Sequence, residues 1–82
     1  MYHIYILRSI PTGRYYVGST SDIDQRLAKH NKGYSKATKP YLPWELVHVE
    51  SYASKSDAIK REYEIKHHKS RQYIEHLIRC GG

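Results

Sequence analysis

Residues 2–22 read YHIYILRSIPTGRYYVGSTSD, and this stretch decides the fold. Its first part, residues 2–7, is aromatic and β-branched as strands are, and residues 14–18 (RYYVG) predict a second strand. A Pro-Thr-Gly turn at residues 11–13 joins them, so the second strand returns antiparallel to the first. Ser21 follows as a candidate N-cap. The chain is therefore expected to begin with a β-hairpin that leads into a helix.

The rest of the chain predicts one more strand and two more helices. Residues 45–52 (ELVHVESY) alternate between apolar and polar, which indicates a one-sided strand. A second helix is expected from a cap at Ser54 or Ser56 through about Lys69, and a short third helix from the apolar spacing in residues 73–78. The order β-β-α-β-α-α predicts an α+β fold, a small three-stranded antiparallel sheet flanked by helices, forming a single domain over residues 1–82.

Composition excludes several classes of protein. Of the 82 residues, 39% are hydrophobic and 27% charged, and nine Tyr with one Trp argue against disorder. The single cysteine, Cys80, rules out an internal disulfide framework and fits a reducing, cytoplasmic compartment. The apolar runs are too short for a membrane span or a signal-peptide core. No glycine-rich phosphate loop and no grouped zinc ligands are found.

Charge points to an anionic partner. Fourteen Lys and Arg against eight Asp and Glu give a net charge of +6. For so small a chain this balance favours a polyanion, most commonly nucleic acid, over a basic domain without an anionic partner. Three lysines fall in the proline-containing stretch 32–43, which we expect to be an exposed loop that binds nucleic acid: Lys32, Lys36 and Lys39.

Both long helices place polar side chains where apolar ones are expected. On a helical wheel His30 falls about 20° from Ile23, within the apolar arc, and Arg26 precedes His30 by one turn. In the second helix, Glu62 lies about 40° from Ala58, inside the apolar stripe. A buried carboxylate is costly unless it is paired, so one interpretation is an ion pair from Glu62 to an Arg or Lys. The other is a functional site, because misplaced polar residues cluster at such sites.

The hairpin adds two tyrosines and a glycine. Tyr5 and Tyr16 lie on strands that face each other, an arrangement that is more often packing than chemistry. Gly18, two residues after Tyr16, leaves an open patch of backbone that would admit a close ligand.

Tyr5, the run Tyr16-Val17-Gly18, Arg26, His30 and Glu62 together resemble the GIY-YIG nuclease superfamily. The similarity spans nearly the whole chain and is strongest to the small stand-alone bacterial members, which are similar to the nuclease domain of the bacterial excinuclease. The blocks that carry it are YILRS, YYVGSTSD, QRLAKHN, the PWELV run at 43–47 and KREYEIK at 60–66. His3 stands where the glycine that gives the family its name would lie, and Ser19 where some relatives have lysine.

The resemblance implies a metal-dependent endonuclease that hydrolyses DNA and selects its substrate by structure rather than sequence. It implies Tyr5, Tyr16, Arg26 and His30 as catalytic residues and Glu62 as the ligand of one divalent ion, Mg²⁺ or Mn²⁺. The general base remains open between Tyr5 and His30. No small-molecule cofactor and no membrane partner are expected, and the oligomeric state is not specified. The alternatives are a binding module that holds nucleic acid without cutting it, and a structural protein in which these side chains satisfy one another. We expect the five site residues to converge on one concave surface at the sheet.

Overall fold

Three strands and three helices make up the residues that the computed structural model describes, which are 1–33, 39–68 and 71–80. The elements are β1 (Tyr2–Ser9), β2 (Tyr15–Thr20), α1 (Ile23–Asn31), β3 (Trp44–Tyr52), α2 (Lys55–His68) and α3 (Arg71–Cys80), with a short 3₁₀ turn at Lys39–Tyr41 before β3. The sheet is antiparallel in the order β2-β1-β3, so β1 is its central strand. The predicted α+β fold and the order β-β-α-β-α-α are confirmed.

The central strand divides the core into two layers. Ile4 and Ile6 point to one face, where Val17 of β2 and the buried Ala58 and Ile65 of α2 pack against them. Tyr5, Leu7 and Trp44 form the second cluster on the opposite face, together with apolar residues of α1. Because side chains alternate along a strand, α1 covers one face of the sheet, and α2 with α3 covers the other.

The N-cap of helix α1 lies one residue later in the chain than expected. Asp22, not Ser21, is the N-cap: its backbone is extended and its Oδ1 accepts a hydrogen bond from the backbone N–H of Gln25 at 3.0 Å. A carboxylate at this position satisfies an otherwise unpaired N–H and interacts well with the helix dipole. The helix ends at Asn31 with Lys32 as its C-cap, and Gly33 follows with a φ of +78°, a conformation that glycine adopts readily.

Strand β3 is one-sided only in part. Ile6 pairs with His48 but Leu7 pairs with Leu46, so Val47 is an extra residue, a β-bulge, on β3. Beyond the bulge the alternation is inverted: His48 is buried beneath the helices, whereas Val49 is 39% exposed on the other face. The simple alternation of residues 45–52 therefore does not show which side chains face the core.

The inward-facing polar residues of β3 form a network that attaches α2 and α3 to the sheet. Glu50 accepts hydrogen bonds from Arg61 Nε at 2.9 Å, from the Tyr52 hydroxyl at 2.6 Å and from His48 Nε2 at 2.8 Å. Arg61 also donates to the Tyr73 hydroxyl at 3.0 Å. Burial alone would raise the pKa of Glu50, but its three donors outweigh burial and lower the pKa to about 2. Glu50 and Arg61 thus make the ion pair that joins helix and sheet, whereas the ion pair considered for Glu62 is made to Lys66 within α2.

Candidate active site

The buried hydroxyl of Tyr5 is the centre of the candidate site. Tyr5 lies on the central strand and is only 2% exposed. Its oxygen accepts a hydrogen bond from Arg26 Nε at 3.2 Å and lies 3.1 Å from His30 Nε2. Arg26 and His30 are one helical turn apart on α1, so a single helix places both side chains against the same phenol. His30 is 2% exposed, which confirms its predicted place within the apolar arc of the helix.

Tyr16 completes an aromatic wall around this centre. Its ring centroid lies 5.0 Å from that of His30 and 6.4 Å from that of Tyr5. On its other side the ring meets Trp44 edge-on at 6.3 Å. Hydrogen bonds to Tyr5, and more weakly to Tyr16, raise the pKa of Arg26 above its already high value. The Arg26 guanidinium is thus a permanent positive charge held between two phenols.

Gly18 provides the space that Tyr5 occupies. A Cβ atom at position 18 would lie 2.5 Å from the Tyr5 hydroxyl oxygen and 2.6 Å from its Cζ. The phenol therefore lies directly over the backbone of Gly18, in the opening that the sequence suggested for a ligand. The space beside Gly18 is filled by Tyr5, which is itself a candidate catalytic residue, so the expectation that a ligand enters there was wrong.

The protonation states of Tyr5 and His30 follow from their burial. Burial raises the pKa of Tyr5 above 10.0, although the hydrogen bond from Arg26 opposes the shift. Burial, and after it the positive charge of Arg26, lowers the pKa of His30 below 6.5. At neutral pH the phenol is therefore protonated and the imidazole is uncharged. Because Arg26 donates to the phenol oxygen, the phenol proton is available to His30 Nε2 when the imidazole carries its own proton on Nδ1.

Glu62 approaches this group from the opposite face of the sheet. Its helix, α2, packs on the Ile4 side, whereas Tyr5, Tyr16, Arg26 and His30 lie on the α1 side, so the five residues do not share one face. The Glu62 carboxylate lies at the edge strand β2, where it accepts a hydrogen bond from the Ser19 hydroxyl, and it interacts electrostatically with Tyr5 and Arg26. The structure brings it to the rim of the site rather than to its centre.

The environment of Glu62 suits a hard divalent cation. The Glu62 side chain is 21% exposed, and its carboxylate pairs with Lys66 Nζ at 2.7 Å, one turn along α2. Burial favours its neutral form, but hydrogen bonds from Lys66 and Ser19 and the charge of Arg26 together lower the pKa of Glu62. It is therefore an anionic, accessible oxygen ligand of the kind that Mg²⁺ and Mn²⁺ prefer. Within residues 1–33, 39–68 and 71–80, no three His, Cys, Asp or Glu side chains cluster as metal ligands, so a metal here would depend on Glu62, water and substrate oxygens.

The lysines proposed to bind nucleic acid are only partly described. Lys32 is the exposed C-cap of α1, two residues after His30, and Lys39 is exposed at the start of the 3₁₀ turn. Lys36 lies outside the described residues. Both described lysines flank the α1 side of the sheet, where Tyr5 and His30 lie.

Several residues that shape the site were not found from the sequence. Lys66 had a signal, since a Glu four residues before a Lys commonly pairs along a helix. Asn31 had none: its Oδ1 accepts from the Trp44 N–H at 2.8 Å and its Nδ2 donates to the Trp44 carbonyl at 3.2 Å, which fixes the end of α1 to β3. This clamp holds His30, the neighbouring residue, over the sheet.

Comparison with known proteins identifies the class. A family model described as the GIY-YIG catalytic domain matches residues 1–74. The chain therefore belongs to the GIY-YIG family, a family of nucleases that generally use a divalent metal ion.

Similar chains within this family are small UPF0213 proteins. One from Halobacterium salinarum is 45% identical over 67 residues, covering 80% of this chain and 86% of the relative. One from Staphylococcus epidermidis is 45% identical over 64 residues, covering 77% and 78%. The solution NMR structure of the UPF0213 protein from Bacillus halodurans is 39% identical, with a TM-score of 0.58 over 95% of this chain and 83% of that one. In the part of the chain described here, none of the helices is long and apolar enough to cross a membrane.

Proposed function

We propose that this chain is a metal-dependent endonuclease that hydrolyses phosphodiester bonds in DNA and selects its substrate by structure rather than sequence. The observation that carries the proposal is the Tyr5 hydroxyl, buried between Arg26 and His30 at hydrogen-bond distance from both. This hydroxyl contacts a fixed cation and a neutral base together, so it can accept a hydrogen bond while it passes its own proton to the base.

In the proposed reaction, Tyr5 relays a proton to His30. The attacking water transfers a proton to the Tyr5 oxygen while the Tyr5 hydroxyl proton moves to His30 Nε2. The resulting hydroxide attacks phosphorus, a P–O bond forms, and the bond to the leaving oxygen breaks, with that oxygen taking up a proton from solvent. The proton on His30 then returns to solvent. This assignment makes His30 the final acceptor and Tyr5 the group that touches the water, and the lowered pKa of His30 keeps the acceptor unprotonated at neutral pH.

Arg26 and Glu62 would act on the phosphate. The Arg26 guanidinium is exposed at the surface of α1 while its Nε is held by Tyr5, so it is placed to stabilise the charge that develops on the phosphate oxygens. Tyr16 would contribute a hydroxyl to the phosphate or the water. Glu62 would hold one Mg²⁺ or Mn²⁺, which supplies further charge stabilisation when bound.

Recognition of DNA is proposed to depend on the backbone. The exposed Lys32 and Lys39 beside the site suit phosphates and carry no base information. A cytoplasmic location, inferred from the single cysteine, is part of the same proposal.

Cleavage assays with matched variants test the proposal. Duplex, flap, splayed and single-stranded DNA are incubated with Mg²⁺ or Mn²⁺ and the parent chain, Tyr5→Phe or Glu62→Ala. Tyr5→Phe should lower the rate by about 10²–10⁴, the usual contribution of acid–base catalysis. Glu62→Ala should abolish metal-dependent cleavage and leave DNA affinity nearly unchanged, because its partner Lys66 is half exposed and needs no counter-charge.

The controls remove the same groups from exposed positions of α2. Tyr63→Phe deletes a hydroxyl and Glu64→Ala a carboxylate, and neither residue lies at the site. Both controls should cut as the parent does. If Glu62→Ala also cuts as the parent does, Glu62 is structural. If the parent binds DNA and cuts none of the four substrates, the chain is a binding module.

A further inference from the structure

A groove runs along the free edge of β2, on the side of α2 and α3. Its cavity is about 470 Å³. Residues 14–17 form one wall, and Arg71 and Ile74 of α3 form the other wall. Between the walls, Ile65 of α2 forms the floor and Lys66 of α2 forms the inner rim. This volume lies within the range of about 300–1,000 Å³ that is usual for small-molecule sites, so it suits one nucleotide and not a base-paired helix.

The groove is continuous with the candidate active site. Tyr16 borders it on the edge strand, while the Tyr16 ring packs on the α1 side of the sheet, 5.0 Å from the ring of His30. Lys66 lines it and also pairs with Glu62 at 2.7 Å. A nucleic-acid strand with a phosphate between Arg26 and Glu62 would therefore enter this groove with its next nucleotide.

The lining has two chemistries that match the two parts of a nucleotide. Apolar surface from Val17, Ile65 and Ile74 and the ring of Tyr15 provide a surface for a base. Two cations border it, Lys66 and Arg71, whereas the Arg14 guanidinium lies over the Tyr41 ring, 4.9 Å from its centroid. Such a combination of a positively charged groove and aromatic rings is how proteins bind single strands without reading sequence.

Arg71 is held in position at the mouth of the groove. Its guanidinium lies 5.3 Å from the centroid of the Tyr15 ring, and its Nε lies 3.3 Å from Glu75. The side chain is nevertheless 62% exposed, so the charge faces solvent at the opening. A cation fixed in this way meets a phosphate with little loss of side-chain entropy.

We propose that this groove binds an unpaired nucleotide of the DNA strand next to the scissile phosphate. A paired base has its faces covered by stacking and cannot present one to the groove floor, so occupancy selects strands with an unpaired nucleotide beside the cut. The inference rests on the proposed function, because the active site defines which strand enters the groove.

Binding without cleavage is the test. In EDTA, fluorescence anisotropy measures the affinity of the parent chain for three probes: a single strand of about eight thymidines, within the usual site sizes, the same strand with abasic sites in place of the bases, and a blunt duplex. The single strand should bind more tightly than the duplex. Its abasic form keeps the phosphates and should bind at least about fivefold more weakly, the effect of losing one stacked base.

Matched charge variants locate the binding surface. Arg71→Ala and Arg79→Ala each remove one positive charge from α3, but of these two residues only Arg71 lines the groove. Arg71→Ala should weaken single-strand binding severalfold more than Arg79→Ala does. Equal effects of the two variants, or equal affinity for the normal and abasic strands, would overturn the proposal.

The two proposals fail differently. If the parent cuts DNA but Arg71→Ala binds single strands as Arg79→Ala does, the groove assignment alone is wrong. If the parent cuts no DNA, the proposed function is wrong, while binding that depends on both the bases and Arg71 would still support a nucleotide site in the groove.

Discussion

Gly18→Ala is the substitution whose effect the structure determines best. The new methyl carbon would lie 2.5 Å from the Tyr5 hydroxyl oxygen, whereas an ordinary contact is 3.4–4 Å, so the phenol has to move by about 1 Å. Its hydrogen bonds to Arg26 and His30, now 3.2 and 3.1 Å, would then exceed hydrogen-bond length. Because Tyr5 is buried, we expect a loss of about 1–3 kcal/mol, as in other overpacked cores.

The sign of this change makes it diagnostic. Replacing glycine by alanine inside a strand normally stabilises by about 0.5–1 kcal/mol, because the unfolded chain loses freedom. Thermal unfolding followed by circular dichroism should instead show a Tm lower by roughly 4–8 °C for each kcal/mol lost. DNA cleavage should fall by about 10², the cost of displacing a catalytic group by 1 Å.

The same Gly18→Ala substitution in a chain that lacks the Tyr5 phenol shows whether the loss of stability comes from the steric conflict. In a Tyr5→Leu chain the phenol is absent, so the added methyl at position 18 should cost much less than in the parent. A Gly18→Ala chain as stable as the parent, or more stable, would refute the placement of Tyr5 over Gly18.

Other parts of the structure give three further predictions. The pKa of Glu50 is lowered from 4.5 to about 2, so its ionisation contributes stability that is fully present above pH ~5 and lost as pH falls towards ~2. This contribution to the free energy of unfolding amounts to about 3 kcal/mol. Urea unfolding across that pH range should therefore show a flatter pH dependence in Arg61→Met than in the parent. Asn31→Ala removes both side-chain hydrogen bonds to the backbone of Trp44 and should lower the free energy of unfolding by about 1–3 kcal/mol in the same assay. The third prediction concerns three lysines that follow α1: Lys32, Lys36 and Lys39. Replacing all three by alanine should flatten the slope of log affinity for duplex DNA against log salt by about two to three units in an anisotropy titration. An unchanged slope would locate phosphate binding elsewhere.

Local spacing was enough to predict the parts of the site that lie on one element. The four-residue interval between Arg26 and His30 placed both on one side of α1, and the helical period placed His30 among apolar residues. The Pro-Thr-Gly turn predicted the hairpin that brings Tyr5 and Gly18 opposite each other in β1 and β2. These features depend on backbone periods and turn geometry, which a short stretch of sequence determines by itself.

Contacts between distant segments were decided only by the tertiary structure. The bulge at Val47 inverts the faces of β3, so His48 and Glu50 point inward, where Glu50 accepts hydrogen bonds from both His48 and Arg61 of α2. Glu62 was expected on the same surface as Tyr5, yet its helix packs on the opposite face and its carboxylate lies at the edge of β2. Bulges and helix placement depend on how whole elements pack together, and no local pattern encodes that.

The chemistry of the site depends on the same packing. In an unfolded chain the side chains of tyrosine and histidine have their ordinary pKa values, and the residue types at positions 5 and 30 do not by themselves indicate a shift. Burial of Tyr5 between the sheet and α1 keeps the phenol protonated against the opposing effect of Arg26, whereas burial of His30 and the positive charge of Arg26 together keep the imidazole neutral. Sequence alone determined which residues are present and which share a helix or a strand. The fold determined how far each is removed from water and what charge lies next to it, because desolvation and Coulomb interactions depend on distances through space rather than along the chain.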